Sequence, residues 1–252
     1  VVKSITKFAK TIKRVRDIQP LMEEAITIAA SGVPGPVYLE MPVDILYPES
    51  IVKQWYGLKS KNKSMPWWMS TYLNWSVKRI FRDKDRQYVK EKEIAGESDL
   101  NIHISYLSEI TSNAEKPVLL IGSQSNLKSE QNESLAIAVK KMNIPTFVSG
   151  MARGLMSQSD LPIFRHERTK ALKETDLVIL AGVPCDFRLD YGRMINHKAK
   201  IISINLSPID MNMNRRPTRG IQVNPGFFLI EWSNFVNNSY QNKWKTWHQT
   251  LS

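Results

Sequence analysis

The sequence predicts an α/β protein: a doubly wound parallel sheet preceded by a smaller, partial α/β region. Three observations carry this. Short apolar runs recur between residues 117 and 224 without the polar alternation of a half-exposed strand. Segments with apolar residues at helical spacing separate them. The runs PVLLIG (117–122), PTFVSG (145–150), DLVILAGV (176–183) and AKIISINLS (199–207) each reach a Gly or Asn at the carboxyl end, where the chain must leave the sheet.

The first region, residues 1 to 48, opens with VVKSITKFAK, which runs into helix-forming sequence. Ile18, Leu21, Met22, Ala25, Ile26 and Ala29 share one helical face. Asp17 stands at the N-cap, and Gly32 where a C-terminal glycine takes positive φ. The Gly/Pro turn of SGVPGP then leads to Val37–Met41, a short β-rich run expected to be a buried strand. Residues 49 to 114 read as a linker, rich in charge, Trp and Tyr, with short helices over Trp67 to Phe81 and Asn101 to Thr111. Its aromatics either lie in a membrane interface or clamp the linker onto the protein's own surface.

From residue 115 to 238 strands and helices alternate. Ser129 to Met142 is a helix with Leu135, Ala138, Val139 and Met142 on one face, and Glu167 to Lys173 is a shorter one. GIQVN (220–224) is a fifth strand, and Pro225 opens a helix ending near Val236, because proline is tolerated in a first turn. Residues 239 to 252 form a tail. Ligands of such sheets bind beyond the carboxyl ends of the strands, where Gly122, Gly150, Gly182 and Asn205 fall.

Composition excludes several classes. One cysteine among 252 residues cannot build a disulfide framework. No apolar run approaches the roughly 20 residues of a membrane-spanning helix, so the chain itself reads as soluble. It lacks a starting Met and a signal-peptide core, and is expected to be a piece of a longer protein. The net charge of +11 is concentrated before Asp17 and between Lys53 and Lys92. No zinc-finger, RNP or helix-turn-helix pattern accompanies it, so nucleic acid is not expected as a partner.

The familiar chemical motifs are missing. GxGxxG, Walker A and GxSxG do not occur, and His103, His166, His197 and His248 have no metal spacing. Cys185 reads as a small buried residue. Two stretches stand out. GMARGLMSQSDLP (150–162) places Arg153 between two glycines after a strand, suited to a phosphate or simply a surface arginine. GVPCDFRLDYGR (182–193) places Arg188 and Arg193 where each binds an anion or pairs with Asp186 or Asp190.

Together these pieces resemble the thiamine-diphosphate-dependent acetolactate synthase-like family. SGVPGPVYLEMPVDI and TKFAKTIKRVRDI are similar to the end of its pyrimidine-binding domain. KPVLLIGSQ, IPTFVSGMARGLM, ALKETDLVILAGVPCDFRLDYGR and AKIISINLSPIDM are similar to its central domain. MARGL followed by LAGxxCDFRLxYGR marks the acyl-CoA lyase subgroup.

The resemblance implies a full-length enzyme that cleaves a 2-hydroxyacyl-CoA to an aldehyde and formyl-CoA, using thiamine diphosphate and Mg²⁺. Two alternatives stay open: a decarboxylating synthase acting on 2-oxoacids, and a non-catalytic nucleotide-binding scaffold. It also implies a homo-oligomer, and endoplasmic reticulum membrane attachment through segments outside this chain. Glu40 is not the family's activating glutamate, which lies earlier in that domain, and no Gly-Asp dipeptide of the metal motif occurs. The chain alone is therefore expected to be inactive, with no catalytic residue of its own. Relatives bind FAD or ADP at the strand ends. Here a nucleotide such as ADP, the ADP part of CoA, or FAD would meet Gly122, Ser123, Gln124, Met151, Ala152, Arg153, Gly154, Gly182, Arg188, Asn205 and Leu206. Pro184 and Asn205 depart from the arginine and aspartate common at those positions.

Overall fold

The computed structural model describes residues 2–58, 65–83, 100–157, 161–236, 240 and 242–252. The lysine-rich linker segments 59–64 and 84–99 lie outside the described residues. The chain divides into two compact units, Val1–Ala95 and Gly96–Ser252.

In the first unit, β1 (Phe8–Thr11), α1 (Ile18–Ala30) and β2 (Val37–Glu40) form a parallel βαβ turn with Phe8 opposite Val37 and Thr11 opposite Glu40. The sequence assigned no strand before Asp17; one stands there because Phe8–Thr11 finds backbone partners along β2. Gly32 does take positive φ, at +52°. Asp17 precedes α1 but makes no side-chain cap; its carboxylate accepts from Arg14 Nε at 2.7 Å. The C-terminus is held by Lys7, whose Nζ donates to the carbonyls of Ile28, Ser31 and Val33 at 2.7, 2.6 and 3.0 Å.

The strand Val37–Glu40 is not buried as expected. Two strands and one helix form too thin a stack to cover both faces, so Tyr38 stays 41% exposed and Ile26 on α1 62%. A separate small core forms where Val52 of α2 (Glu49–Trp55) meets Val77 and Phe81 of α3 (Trp67–Phe81).

The second unit begins with α4 (Leu100–Asn113) and carries the five-stranded sheet: β3 (Pro117–Ile121), β4 (Thr146–Val148), β5 (Leu177–Ala181), β6 (Lys200–Asn205) and β7 (Arg219–Gln222). All pairs are parallel, in the order β4-β3-β5-β6-β7. Every residue of β3, β4 and β5 is buried, which explains their uninterrupted apolar runs. Between them run α5 (Asn132–Met142), α6 (Arg168–Glu174) and α7 (Pro208–Met211), and α8 (Pro225–Phe235) and α9 (Lys245–Leu251) follow β7. The helix expected from Ser129 begins as a 3-10 turn and becomes α5 at Asn132.

Winding reverses between β3 and β5, since β4 lies on one side of β3 and β5, β6 and β7 follow on the other. Right-handed crossovers then place the connections on opposite faces, leaving a switch point between the ends of β3 and β5.

Two segments assigned to linker and tail belong to this core. Ile104, Leu107 and Ile110 of α4 are buried in it, as are Tyr240, Trp244, Trp247 and Leu251. The tail is fastened by indoles: Trp244 Nε1 donates to Ala114 O at 3.0 Å and Trp247 Nε1 to Pro117 O at 3.1 Å. Their spacing is too short and aromatic-rich to announce a helix without the partner surface.

Candidate functional site

The carboxyl edge of the sheet is built around close backbone approach at the switch point. A Cβ on Gly122 would stand 2.2 Å from Gly182 O, so no other residue fits without moving β3 from β5. Gly182 has φ +70°, and a Cβ there would lie 2.7 Å from Cβ of Gln124. The Gln124 side chain therefore crosses the switch point. Its Nε2 donates to Asn205 Oδ1 at 3.0 Å, and its Oε1 accepts from Leu206 N at 3.0 Å. Asn205 Oδ1 also accepts from Ser207 N at 2.9 Å. Gln124 and Asn205 are both buried. Asn205 Nδ2, itself buried, has no partner among the described residues.

The predicted contact residues thus separate into four places. Gly122, Gln124, Gly182, Asn205 and Leu206 meet through the Gln124 amide. Ser123 is tied to the β4 end, accepting through Oγ from Met151 N at 3.1 Å, next to buried Ala152 and a Gly154 whose missing side chain would meet only open space. Arg188 turns to Asp186: its Nε reaches Oδ1 and Oδ2 at 3.1 and 3.0 Å, and Nη2 reaches Oδ2 at 2.6 Å. Burial alone would raise the Asp186 carboxyl. The hydrogen bonds from the Arg188 side chain and backbone outweigh it and hold the group below its usual range. Arg193 stacks on Tyr191, 5.7 Å from the ring centre.

Arg153 belongs elsewhere. It lines an open cavity of about 710 Å³ with Phe147, Phe164, Arg165, His166, Arg168 and Lys170. Arg168 Nη2 donates to Arg188 O at 3.1 Å and Lys170 Nζ to Thr250 O at 3.2 Å, both neutral acceptors. Glu167 is the sole carboxylate among the lining residues, and none of these cations forms an ion pair among the described residues. Sequence reading passed over Arg165, Arg168 and Lys170, although RHERTK (165–170) is a visible cationic cluster. Such a cavity attracts phosphate or carboxylate anions.

Other candidates have structural work. Asp176 accepts from the backbone N–H groups of Glu115 and Lys116 at 2.7 and 2.9 Å. Cys185 is buried, and burial pushes its thiol pKa up, away from the reactive thiolate. Glu40 is exposed and accepts from Thr11 Oγ1 at 2.6 Å. Among the described residues, no helix is long and apolar enough to cross a membrane.

Residues 104–231 match the model of the thiamine pyrophosphate enzyme central domain. The chain belongs to this family. The central domain covers β3 to β7 and much of α4 and α8. Among relatives, 2-hydroxyacyl-CoA lyase 2 of Danio rerio is 35% identical over 92% of this chain and 38% of its own length. The Caenorhabditis elegans protein of that name is 33% identical over 98% of the chain and 40% of its length. The acetolactate synthase large subunit of Mycobacterium tuberculosis is 23% identical over 79% of the chain and 30% of its own. A solved thiamine diphosphate-dependent 4-hydroxybenzoylformate decarboxylase of Rhodococcus jostii superposes with TM-score 0.57 at 19% identity. It matches 94% of this chain and 40% of its own, and shares the fold. The chain thus spans about two fifths of the length of these lyases.

The family's cofactor does not fit the residues described here. Among the described residues the buried polar side chains are hydroxyls and amides, with no buried carboxylate to engage an aminopyrimidine. No group of three His, Cys, Asp or Glu among the described residues could hold the metal of a diphosphate.

Proposed function

We propose that the full-length protein carrying this chain is a thiamine diphosphate-dependent lyase that cleaves a 2-hydroxyacyl-CoA to an aldehyde and formyl-CoA. The observation that carries this reading is the 33–37% identity to 2-hydroxyacyl-CoA lyase 2 across at least 90% of the chain, against 23% for the acetolactate synthase. The cofactor, its Mg²⁺ and the catalytic carboxylate belong to parts outside the described residues, and the chain alone is inactive. Oligomerisation and attachment to the endoplasmic reticulum membrane belong to the full-length protein in the same reading.

Within this chain the proposed role is recognition of a phosphate-bearing nucleotide, ADP or the ADP part of CoA, with an FAD-like group as the alternative. The cations gathered around Arg153 support it. Gln124 fills the strand ends, so the phosphates sit against Arg153, Arg165 and Arg168, and Arg188 remains with Asp186.

The test has two arms. Purified full-length protein with thiamine diphosphate and Mg²⁺ should release formyl-CoA from a 2-hydroxyacyl-CoA; acetolactate from pyruvate without that release would place it among the synthases. Separately, the chain should bind ADP or CoA in calorimetry, and Arg153→Ala should weaken binding about ten- to a hundredfold, as loss of a charge-assisted phosphate contact implies. Equal binding by Arg153→Ala would remove this cavity from the reading.

A further inference from the structure

The helix α3 divides into two unlike faces. Ser70, Leu73, Val77, Ile80 and Phe81 turn inward at helical spacing, with Val77 and Phe81 in the small core. Trp68, Tyr72, Trp75, Arg79 and Arg82 follow one another at i, i+4, i+7, i+11 and i+14 along the outer face. The sequence left open whether these aromatics clamp the chain onto its own surface. Trp67 is 80% exposed, Tyr72 60%, and Trp68 and Trp75 57% each. No indole N–H of Trp67, Trp68 or Trp75 donates a hydrogen bond among the described residues.

The carboxyl half of the same face is cationic. Lys78, Arg79 and Arg82 join Arg14 and Arg16 around a groove of about 390 Å³ that ends on Trp75. Only Asp17 and Asp83 pair with these cations among the described residues, Asp17 with Arg14 and Arg16, Asp83 with Arg16 and Arg82. Five cations against two carboxylates leave three positive charges in excess. Arg79 lies 5.6 Å from the Trp75 ring centre, joining the aromatic and basic halves.

We propose that the outer face of α3 is a docking surface for an anionic lipid bilayer, with its rings at headgroup level and its basic end on the lipid phosphates. Indole and phenol rings combine an apolar body with a polar edge, which suits the boundary between headgroups and acyl chains. Exposed Met69 adds apolar surface on the same turn. The helix is too short and too polar to insert across the bilayer, so the contact lies in the interface plane. A single-stranded nucleic acid would instead need stacking rings spaced along a cationic channel; here rings and cations occupy opposite ends of one helix face. The family resemblance places membrane attachment in segments outside this chain; this surface would be a contact within it.

The experiment is co-sedimentation of the 252-residue chain with vesicles of phosphatidylcholine alone and of phosphatidylcholine with phosphatidylserine. Binding is expected only to the anionic vesicles, with a blue shift of tryptophan emission and weakening at high salt. Each Lys or Arg near such a surface strengthens partitioning about fivefold, so Lys78→Gln with Arg82→Gln should weaken it about 25-fold. Trp68→Ala, Tyr72→Ala and Trp75→Ala together should weaken it about tenfold or more and abolish the blue shift. All five positions are exposed, and unchanged far-UV circular dichroism would show that the variants fold. In the full-length protein, a Trp68→Cys thiol should label freely in solution and be protected by anionic vesicles. Binding to neutral vesicles as strong as to anionic ones, variants that bind like the parent, tighter binding to an oligonucleotide, or a Trp68→Cys thiol already protected in solution would each overturn the proposal.

Discussion

Trp247 offers the sharpest test of how the second unit is held together. It lies in the stretch read from sequence as a tail, yet it is only 4% exposed. Its indole donates to the Pro117 carbonyl at 3.1 Å, at the start of the central strand β3. Lys116 Nζ, 5.1 Å from the ring centre, pairs with Glu174 at 3.0 Å. Trp247→Ala removes a large buried side chain and leaves a cavity, which costs about 3–5 kcal/mol. In a unit of this size each kcal/mol lowers the melting temperature by about 2–4 °C, so the transition should fall by about 6–20 °C. Trp247→Phe keeps most of the packing but orphans the Pro117 carbonyl, costing about 1–3 kcal/mol. Scanning calorimetry on the whole chain should show one endotherm moving, that of Gly96–Ser252. Ile209→Ala, at a position 77% exposed, serves as control and should stay within about 0.5 kcal/mol of the parent. A Trp247→Ala melting temperature equal to that of Ile209→Ala would show that the tail is not part of the core.

Further outcomes follow from single contacts. Gly122→Ala should lower the unfolding free energy measured by denaturant titration by about 1–3 kcal/mol, because its Cβ meets the Gly182 carbonyl and backbone cannot move aside cheaply. The Asp186 carboxyl is held below its usual range, so the pair with Arg188 stabilises above the unfolded carboxylate pKa and is lost as pH falls through the lower folded value. Asp186→Asn should therefore cost about 1 kcal/mol at neutral pH, and melting curves should show the difference from the parent shrinking below about pH 4. The Tyr56 hydroxyl, donating to Asp44 at 2.5 Å, has its pKa pushed up to about 12. Its contribution is complete below the unfolded value near 10 and fades as pH rises through about 12. Alkaline ultraviolet titration of parent and Tyr56→Phe should differ by one late-ionising phenol; an early one would contradict the contact.

The sequence by itself determined the layered α/β class and the location of all five central strands, since a strand covered on both faces has no polar alternation to conceal it. It also determined the family, because MARGL and CDFRLxYGR survive as strings of residues whatever their surroundings. Three things it could not determine. Phe8–Thr11 became a strand only because β2 supplies its hydrogen bonds, a partner 29 residues away along the chain. Residues 244–251 became core only because Ala114 and Pro117 present carbonyls to two indoles. The predicted contact residues, all near strand ends, were sorted by side-chain direction: Gln124 crosses to Asn205, Arg188 folds onto Asp186, and Arg153 lines another cavity. Spacing along a chain fixes which residues leave a strand end. Which way each then turns depends on the partners that packing brings within hydrogen-bonding distance.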